Sequence, residues 1–209
     1  MLCASSTSIA GLILSPTAVT SPEITLQGAL GQIIDQSGIT PFVSGVTDFD
    51  VYAPSTVENS TNITSGGWFG GPTKAEMTSS NPGEIAFDLG SIVNITRVAY
   101  WQTVGGTSLS AVTIYSDTDN DFTNGTTANL GSFSPADSLL GNVLDVTDAS
   151  TRYLQFQWTN IHATNSSFLG GLGEFAVEVD PRAAVPEPTT IALLTLGLAG
   201  IGFSRRKAT

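Results

Sequence analysis

The apolar positions of this chain fall into short runs of period two, set apart by clusters of Gly, Pro, Asn and Ser. After Asn81-Pro82-Gly83, Ile85, Phe87 and Leu89 alternate with Glu84, Ala86 and Asp88, the pattern of a strand with one wet face. Ile95 to Trp101 is more uniformly apolar, which predicts a strand covered on both faces. Val104-Gly105-Gly106-Thr107 turns the chain, and Leu109 to Ser116 returns it with Val112 and Ile114 on one face. Leu130 to Phe133 and Leu140 to Val146 are shorter candidates. Thr151 to Trp158 groups Leu154, Phe156 and Trp158, and Glu174 to Val179 aligns Phe175, Val177 and Val179. Short strands between turn clusters predict an all-β sandwich. Upstream the pattern weakens. Ser21 to Gly45 predicts a strand or short helix at the domain edge. Asp48 to Thr78, rich in small polar residues around Trp68-Phe69, predicts long loops with a buried aromatic anchor.

The C-terminus departs from this pattern. Val185-Pro186-Glu187-Pro188 precedes Ile191 to Phe203, an uncharged run interrupted by Thr195 and three glycines, and Arg205-Arg206-Lys207 follows. As a helix the run satisfies its own polar groups in lipid, but it is shorter than the roughly 20 residues that span a bilayer comfortably. A short transmembrane helix, occupied transiently, is the expectation. The cations after it are costly to translocate, so they hold that end in the cytoplasm and leave the rest of the chain outside. Pro186-Glu187-Pro188, an apolar helix and a basic end, in that order, resemble the PEP-CTERM sorting signal of bacterial proteins. The resemblance implies a Gram-negative-type cell, export, and removal of the tail by a membrane-embedded exosortase, often alongside exopolysaccharide. An ordinary tail anchor or a loosely packed C-terminal helix is the plainer alternative.

Residues 1–20 are uncharged, mildly apolar and end in small residues, which resembles the latter half of a secretory signal peptide. The positively charged start of such a peptide is missing, so the true start codon is expected upstream of Met1. The expected organisation is a signal remnant over 1–20, one domain over 21–182 and the sorting signal over 183–209. Cys3 is the sole cysteine, so an intramolecular disulfide is excluded. A lipoprotein role for Cys3 would need a longer targeting segment than Met1-Leu2.

Charge narrows the partners. The chain carries a formal −11, and three of its seven basic residues are Arg205, Arg206 and Lys207, so the part before the tail is more acidic still. Such a surface repels phosphate backbones and excludes nucleic acid as a partner. The abundance of Gly, Ser, Thr and Asn favours turns and strands, as in an extracellular all-β protein.

A second resemblance covers roughly Glu58 to Val179. A loop with Trp68 is followed by Gly83-Glu-Ile-Ala-Phe-Asp-Leu-Gly90, Ile95-Thr-Arg-Val-Ala-Tyr-Trp101 and Val112-Thr-Ile-Tyr-Ser-Asp117. Then come Arg152-Tyr-Leu-Gln-Phe-Gln-Trp158 and Gly171-Leu-Gly-Glu-Phe175. The order is similar to discoidin-like domains, coagulation-factor type C modules that share the galactose-binding-like jelly roll with many carbohydrate-binding modules. A flanking cysteine pair is absent, and Glu58-Asn59 replaces the Asp-Gly of those domains. The resemblance implies a jelly-roll β-sandwich and a structural calcium, held here by Glu58, Asn59, Thr64 and Glu174.

Catalytic motifs are scarce. One histidine rules out the two-His zinc protease motif, and Gly-x-Ser-x-Gly, the phosphate-cradling loop and a full Gly-x-Gly-x-x-Gly are absent. An exported glycoside hydrolase would need a carboxylate pair, and nothing singles one out among 18 acidic residues. Asp117-Thr-Asp-Asn-Asp121 has oxygen ligands at alternate positions, but Phe122 stands where a calcium loop needs glycine, so a solvated hairpin tip is the competing reading. Sugar sites pair an aromatic face with a few directional polar groups. Trp68, Phe69, Asn160, His162 and Asn165 are the candidates, against a core plug for Trp68 and a backbone-capped loop histidine for His162. Arg97 and Arg152 are expected to pair with acidic neighbours. The expected function is non-catalytic carbohydrate binding at the cell surface, in the outer envelope or in the extracellular matrix, with a purely structural matrix protein as the alternative.

Overall fold

The computed structural model describes residues 11–23, 25–56, 67–102 and 107–180. Its strands are β1 (Leu12–Leu14), β2 (Ala18–Thr20), β3 (Thr25–Gln27), β4 (Trp68–Thr73) and β5 (Gly83–Trp101). They continue with β6 (Leu109–Asp117), β7 (Ala128–Phe133), β8 (Asn142–Ile161), β9 (Leu169–Leu172) and β10 (Glu174–Val179). A 3-10 turn at Leu30–Ile33 and one helical turn, α1 (Phe49–Tyr52), complete the described elements. The apolar tail helix, Cys3, Glu58, Asn59 and Thr64 lie outside the described residues. Among the described residues no helix is long and apolar enough to cross a membrane.

One sheet runs β1-β10-β5-β8-β6-β7, with β2 also paired to β5, and a smaller one runs β3-β4-β9. The β5–β8 ladder is its spine, and it bends. Residues 89–92 of β5 face only Arg152 between the pairs Asp88↔Tyr153 and Val93↔Thr151. Gly90 sits there at φ +84, a conformation glycine adopts without a Cβ penalty. A second bulge sets residues 146–148 of β8 against Thr96. Bulges bend a strand and increase its local twist, and here they double the ladder back on itself.

The inner side chains record the fold-back. Phe87, in the first half of β5, stacks on Phe175 with 3.8 Å between centroids and 9° between planes, although Phe175 pairs with Tyr100 in the second half. Tyr100 meets the Phe156 ring edge-on at 5.0 Å, although Phe156 pairs with Ile85. Two layers result. One holds β2, the first half of β5, the second half of β8, β6 and β7; the other holds β1, β10 and the remaining halves. Ile85, Phe87, Leu154, Phe156, Val98, Tyr100, Phe175 and Val177 form the core between them. The fold is therefore the expected all-β sandwich. The two separate strand signals at Ile85 and Ile95 belong to one bent strand.

The second layer is covered on its outer side as well, as the uniform apolarity of Ile95 to Trp101 predicts. Ile39, Phe42, Phe49 and Ala53 pack there against Ala99, Trp101 and Ala176. Asp48 starts α1 by accepting the Val51 N–H, and Trp101 Nε1 donates to the Thr56 carbonyl at 2.9 Å. Arg97 fastens this cover: its guanidinium meets Asp50 at 2.6 Å and Glu178 at 2.6 Å, and lies 4.9 Å above the Phe49 ring. The Glu178 carboxylate raises the Arg97 pKa well above its ordinary value.

Two expectations change. β1 pairs with β10 and β2 with β5, and Ile13 is fully buried, so residues 11–20 contribute two strands to the sheet, although the expected domain began at residue 21. Within 48–78, described residues that composition assigns to loops form α1 and β4, and a methyl group at Gly71 would press on the Trp158 ring. A methyl group at Gly83 or Gly170 would overlap the Trp158 indole, and one at Gly171 would overlap Phe69.

Overpacking of this kind costs about 1–3 kcal/mol. Gly170→Ala is expected to lower unfolding stability in urea by that amount. Gly125→Ala, where a methyl group meets nothing within 4 Å, should stay within about 0.5 kcal/mol of the parent.

Candidate functional site

The folded ladder sorts the connections into two poles. Leu109 pairs with Ile161 and Asp117 with Tyr153, while Glu174 pairs with Trp101 and Val179 with Ile95. The Leu109 N–H also donates to Gln102 Oε1 at 2.9 Å, which joins the end of β5 to the start of β6. Segments 74–82, 134–141 and 162–168 thus gather at one pole, the loop pole. The 118–127 turn and Asp180, where the described chain ends, lie at the other, the bend pole.

Asn160, His162 and Asn165 all fall at the loop pole and are exposed. The segment that carries them is tied down on several sides. Lys74 N–H donates to the Phe168 carbonyl at 2.8 Å and Ala75 N–H to the Ser166 carbonyl at 3.0 Å. The Lys74 ammonium reaches the Ile161 carbonyl at 3.2 Å and also bonds the Ala163 carbonyl. His162 N–H donates to Ser108 at 2.8 Å, and its Nε2–H donates to the Pro135 carbonyl at 3.1 Å. That last bond is the backbone-capped histidine of the plainer reading. Asn160 Oδ1 accepts from Ile161 N–H and Asn165 Oδ1 from Ser167 N–H, both at 2.9 Å. Each amide Nδ2 is left unengaged among the described residues. Polar groups held on a braced segment meet a ligand with little ordering cost.

Trp68 and Phe69 are not part of this surface. Trp68 is 0% exposed and Phe69 5% exposed, and Trp68 packs edge-on to Trp158 at 6.1 Å. The structure gives Trp68 the role of core plug, and neither ring presents a face to solvent. Lys74 and Phe168 are the pole residues that sequence reading missed. The available signal was rarity, since Lys74 is the one lysine outside the tail.

Glu174 opens β10 at 1% exposure, and its Oε1 accepts the Gly38 N–H at 3.3 Å. Among the described residues no group of three or more His, Cys, Asp or Glu side chains could hold a metal ion. The Asp117–Asp121 turn is occupied by its own donors. Asp117 accepts from Thr118 N–H, Asp119 N–H, Thr126 Oγ1 and Thr127 Oγ1, and Asp121 accepts from Thr123. Burial pushes the Asp117 carboxyl up, but those hydrogen bonds together outweigh it and hold the pKa below the usual value. Arg152 pairs with Asp88 at 2.9 Å, as expected.

The architecture has relatives among solved structures. The chain is similar to the CBM32-1 and CBM32-2 domains of Clostridium perfringens ZmpB, with TM-score 0.55 and 13% identity over 80% of this chain and 36% of that one. It is also similar to the family 32 carbohydrate-binding module of C. perfringens NanJ, solved with galactose, with TM-score 0.51 and 10% identity over 80% and 99% of the two chains. Chitosan-binding module 1 of a Paenibacillus sp. IK-5 chitosanase/glucanase gives TM-score 0.50 and 17% identity over 80% and 97%. The described domain thus has the discoidin-like sandwich fold of family 32 carbohydrate-binding modules. Residues 184–207 match the PEP-CTERM protein-sorting motif, so the chain joins this fold to a sorting tail. No curated protein matches the chain.

Lys74→Met removes the ammonium that bridges two carbonyls while keeping the aliphatic stem. Amide hydrogen exchange across residues 162–168 is expected to quicken about tenfold, the equivalent of roughly 1.4 kcal/mol, with the core of β8 unchanged. Unaltered exchange would mean that the backbone bonds alone brace the segment.

Proposed function

We propose that this chain is an exported, non-catalytic saccharide-binding protein of the bacterial surface or extracellular matrix, with exopolysaccharide as its ligand. The observation that carries the reading is polarity. The described chain ends at the bend pole, the end of the sandwich opposite Asn160, His162 and Asn165. In this reading Ile191–Phe203 enters the inner membrane transiently, Arg205, Arg206 and Lys207 hold the cytoplasmic end, and an exosortase-type enzyme cleaves near Pro186-Glu187-Pro188. The match of residues 184–207 to the sorting motif supports that route. The galactose complex of the NanJ module supports the ligand class.

The binding groups are Asn160, His162 and Asn165, whose amides and imidazole offer the directional hydrogen bonds that sugar hydroxyls need. Phe168, 43% exposed, supplies the apolar surface that Trp68 and Phe69 do not. The reading includes a structural calcium held by Glu174 with Glu58, Asn59 and Thr64. An all-oxygen donor set of this kind suits a hard cation. The burial of Trp68 and Phe69 favours the second reading, a structural matrix protein without a defined small ligand.

Retention of the full chain on insoluble polysaccharides, measured beside the His162→Ala/Asn165→Ala variant, separates the two readings. Saccharide binding predicts retention that the double variant weakens about tenfold, a loss of roughly 1.4 kcal/mol. Retention on no polysaccharide leaves the structural reading. Chelation in the same samples is expected to lower the melting temperature, and an unmoved temperature removes the calcium.

A further inference from the structure

The two layers of the sandwich differ on their outer sides. One is sealed by the segment that carries Phe49 and Ala53. The other is open. On β5, Glu84, Ala86 and Asp88 point outward, because Ile85, Phe87 and Leu89 point in. Tyr153, Gln155 and Gln157 do the same on β8, and Thr113 and Tyr115 on β6. The register sets them in rows across the strands. Ala86, Gln155 and Tyr115 form one row, and Glu84, Gln157 and Thr113 the next. Tyr153 is the diagonal neighbour of Tyr115, about 7–8 Å away between Cα atoms.

This surface is held in place before any ligand arrives. Glu84 Oε2 accepts from Gln155 Nε2 at 3.2 Å and from Gln157 Nε2 at 3.1 Å, and Gln157 Nε2 also reaches Gln155 Oε1 at 3.2 Å. The Arg152 guanidinium lies 5.0 Å from the centroid of the Tyr153 ring and is fixed there by both oxygens of Asp88, each at 2.9 Å. Next to Tyr153 the surface is concave. Asn120, in the left-handed region at φ 67, lines a groove with Thr20, Ala86, Asp88 and Tyr153, in which alanine keeps the floor low.

Chemistry selects the occupant. Among the described residues the large exposed apolar side chains are Val43, Val46, Val51, Ile92, Leu140 and Phe168; none stands on the outward positions of this face. A protein partner would find no apolar centre to bury. With Asp88 neutralised by Arg152, Glu84 leaves this face acidic on a chain of net charge −11, which disfavours nucleic acid and anionic polymers. What remains suited to two tyrosine rings, planar amides and a carboxylate is an uncharged polyol chain, whose hydroxyls both donate and accept.

We propose that this open sheet face is a second saccharide-binding surface, separate from the loop pole, on which a neutral polysaccharide lies across β5, β8 and β6. The half-buried Tyr115 is its platform, and Gln155, Gln157 and Asn120 are its directional partners. Two contact regions on one domain would let it engage one long chain twice or cross-link two chains, which raises avidity without new contacts.

The inference rests on the saccharide-binding reading, and its test keeps the two apart. Affinity gel electrophoresis of the full chain in mild detergent uses neutral galactan and β-glucan, with alginate as the anionic counter-probe. Two face variants, Tyr115→Ser and Gln155→Ser/Gln157→Ser, are run beside the pole variant His162→Ala/Asn165→Ala, each checked for an unchanged melting temperature. The expected result is at least tenfold weaker retardation by neutral polysaccharide in the face variants, partial loss in the pole variant and no retardation by alginate. Loss confined to the pole variant overturns the second surface and leaves the function standing. Retardation of the parent by neither neutral polymer overturns both. Should one face variant fail to fold, the other decides.

Discussion

The constraint on which the rest of the structure depends is the doubling back of the β5–β8 ladder. A single antiparallel pair supplies both layers of the sandwich, so its inner residues must meet residues of the same two strands. The edge contact of Tyr100 with Phe156 is the point where they do, and the stack of Phe87 on Phe175 of β10, which pairs with the second half of β5, closes the same gap. The bend needs a left-handed residue and an unequal residue count on the two strands. Gly90 and the bulge over residues 89–92 provide both. A β-branched or bulky residue at Gly90 would be strained in that conformation, and a methyl group there would press on Thr17.

The proposed function draws on this geometry because a folded ladder has two unlike ends. The open end collects connections that carry polar side chains on a braced backbone, and the bend lies beside the last described strand. The same geometry makes the two outer faces unequal. Arg97, gripped by Glu178 and Asp50, locks the cover over one face, and the other keeps a polar and aromatic surface in contact with water. A module built this way can be tethered at one end and leave its loop pole and open face accessible to long polymers.

Much of the fold was legible in the sequence, and the reasons are specific. Ile85, Phe87 and Leu89 alternate cleanly because one side of their strand is wet, and Ile95 to Trp101 does not alternate because both sides are dry. What could not be read was continuity: a glycine at a bend inside a strand looks like one at a turn between two strands, so Asp88-Leu89-Gly90 read as a strand end. Glycines near Trp68 and Phe69 suggested loops for a related reason. The missing side chain of Gly71 makes room for Trp158, and composition alone does not distinguish close approach from flexibility. Leu12–Leu14 and Ala18–Thr20 were masked by a segment whose mild apolarity also fits a leader.

The site was less legible than the fold. Asn160, His162 and Asn165 were recognisable as polar residues beyond a strand, and they do share one pole. Trp68 was misleading because an aromatic between glycines is compatible with a platform or a plug, and only its burial decides. Lys74 gives no local pattern, since the carbonyls it bridges are some ninety residues away in sequence. The outward rows of β5, β8 and β6 were also hidden, because alternation marks which residues face water without showing that they align across three strands.

The fold-back is tested most directly by interproton nuclear Overhauser effects in the isotopically labelled protein. The account predicts strong ring-to-ring cross-peaks between Phe87 and Phe175, and between Tyr100 and Phe156, together with the backbone cross-peaks of the β5–β8 ladder. A spectrum with the full ladder but neither ring contact would show an unfolded-over hairpin and contradict the two-layer core.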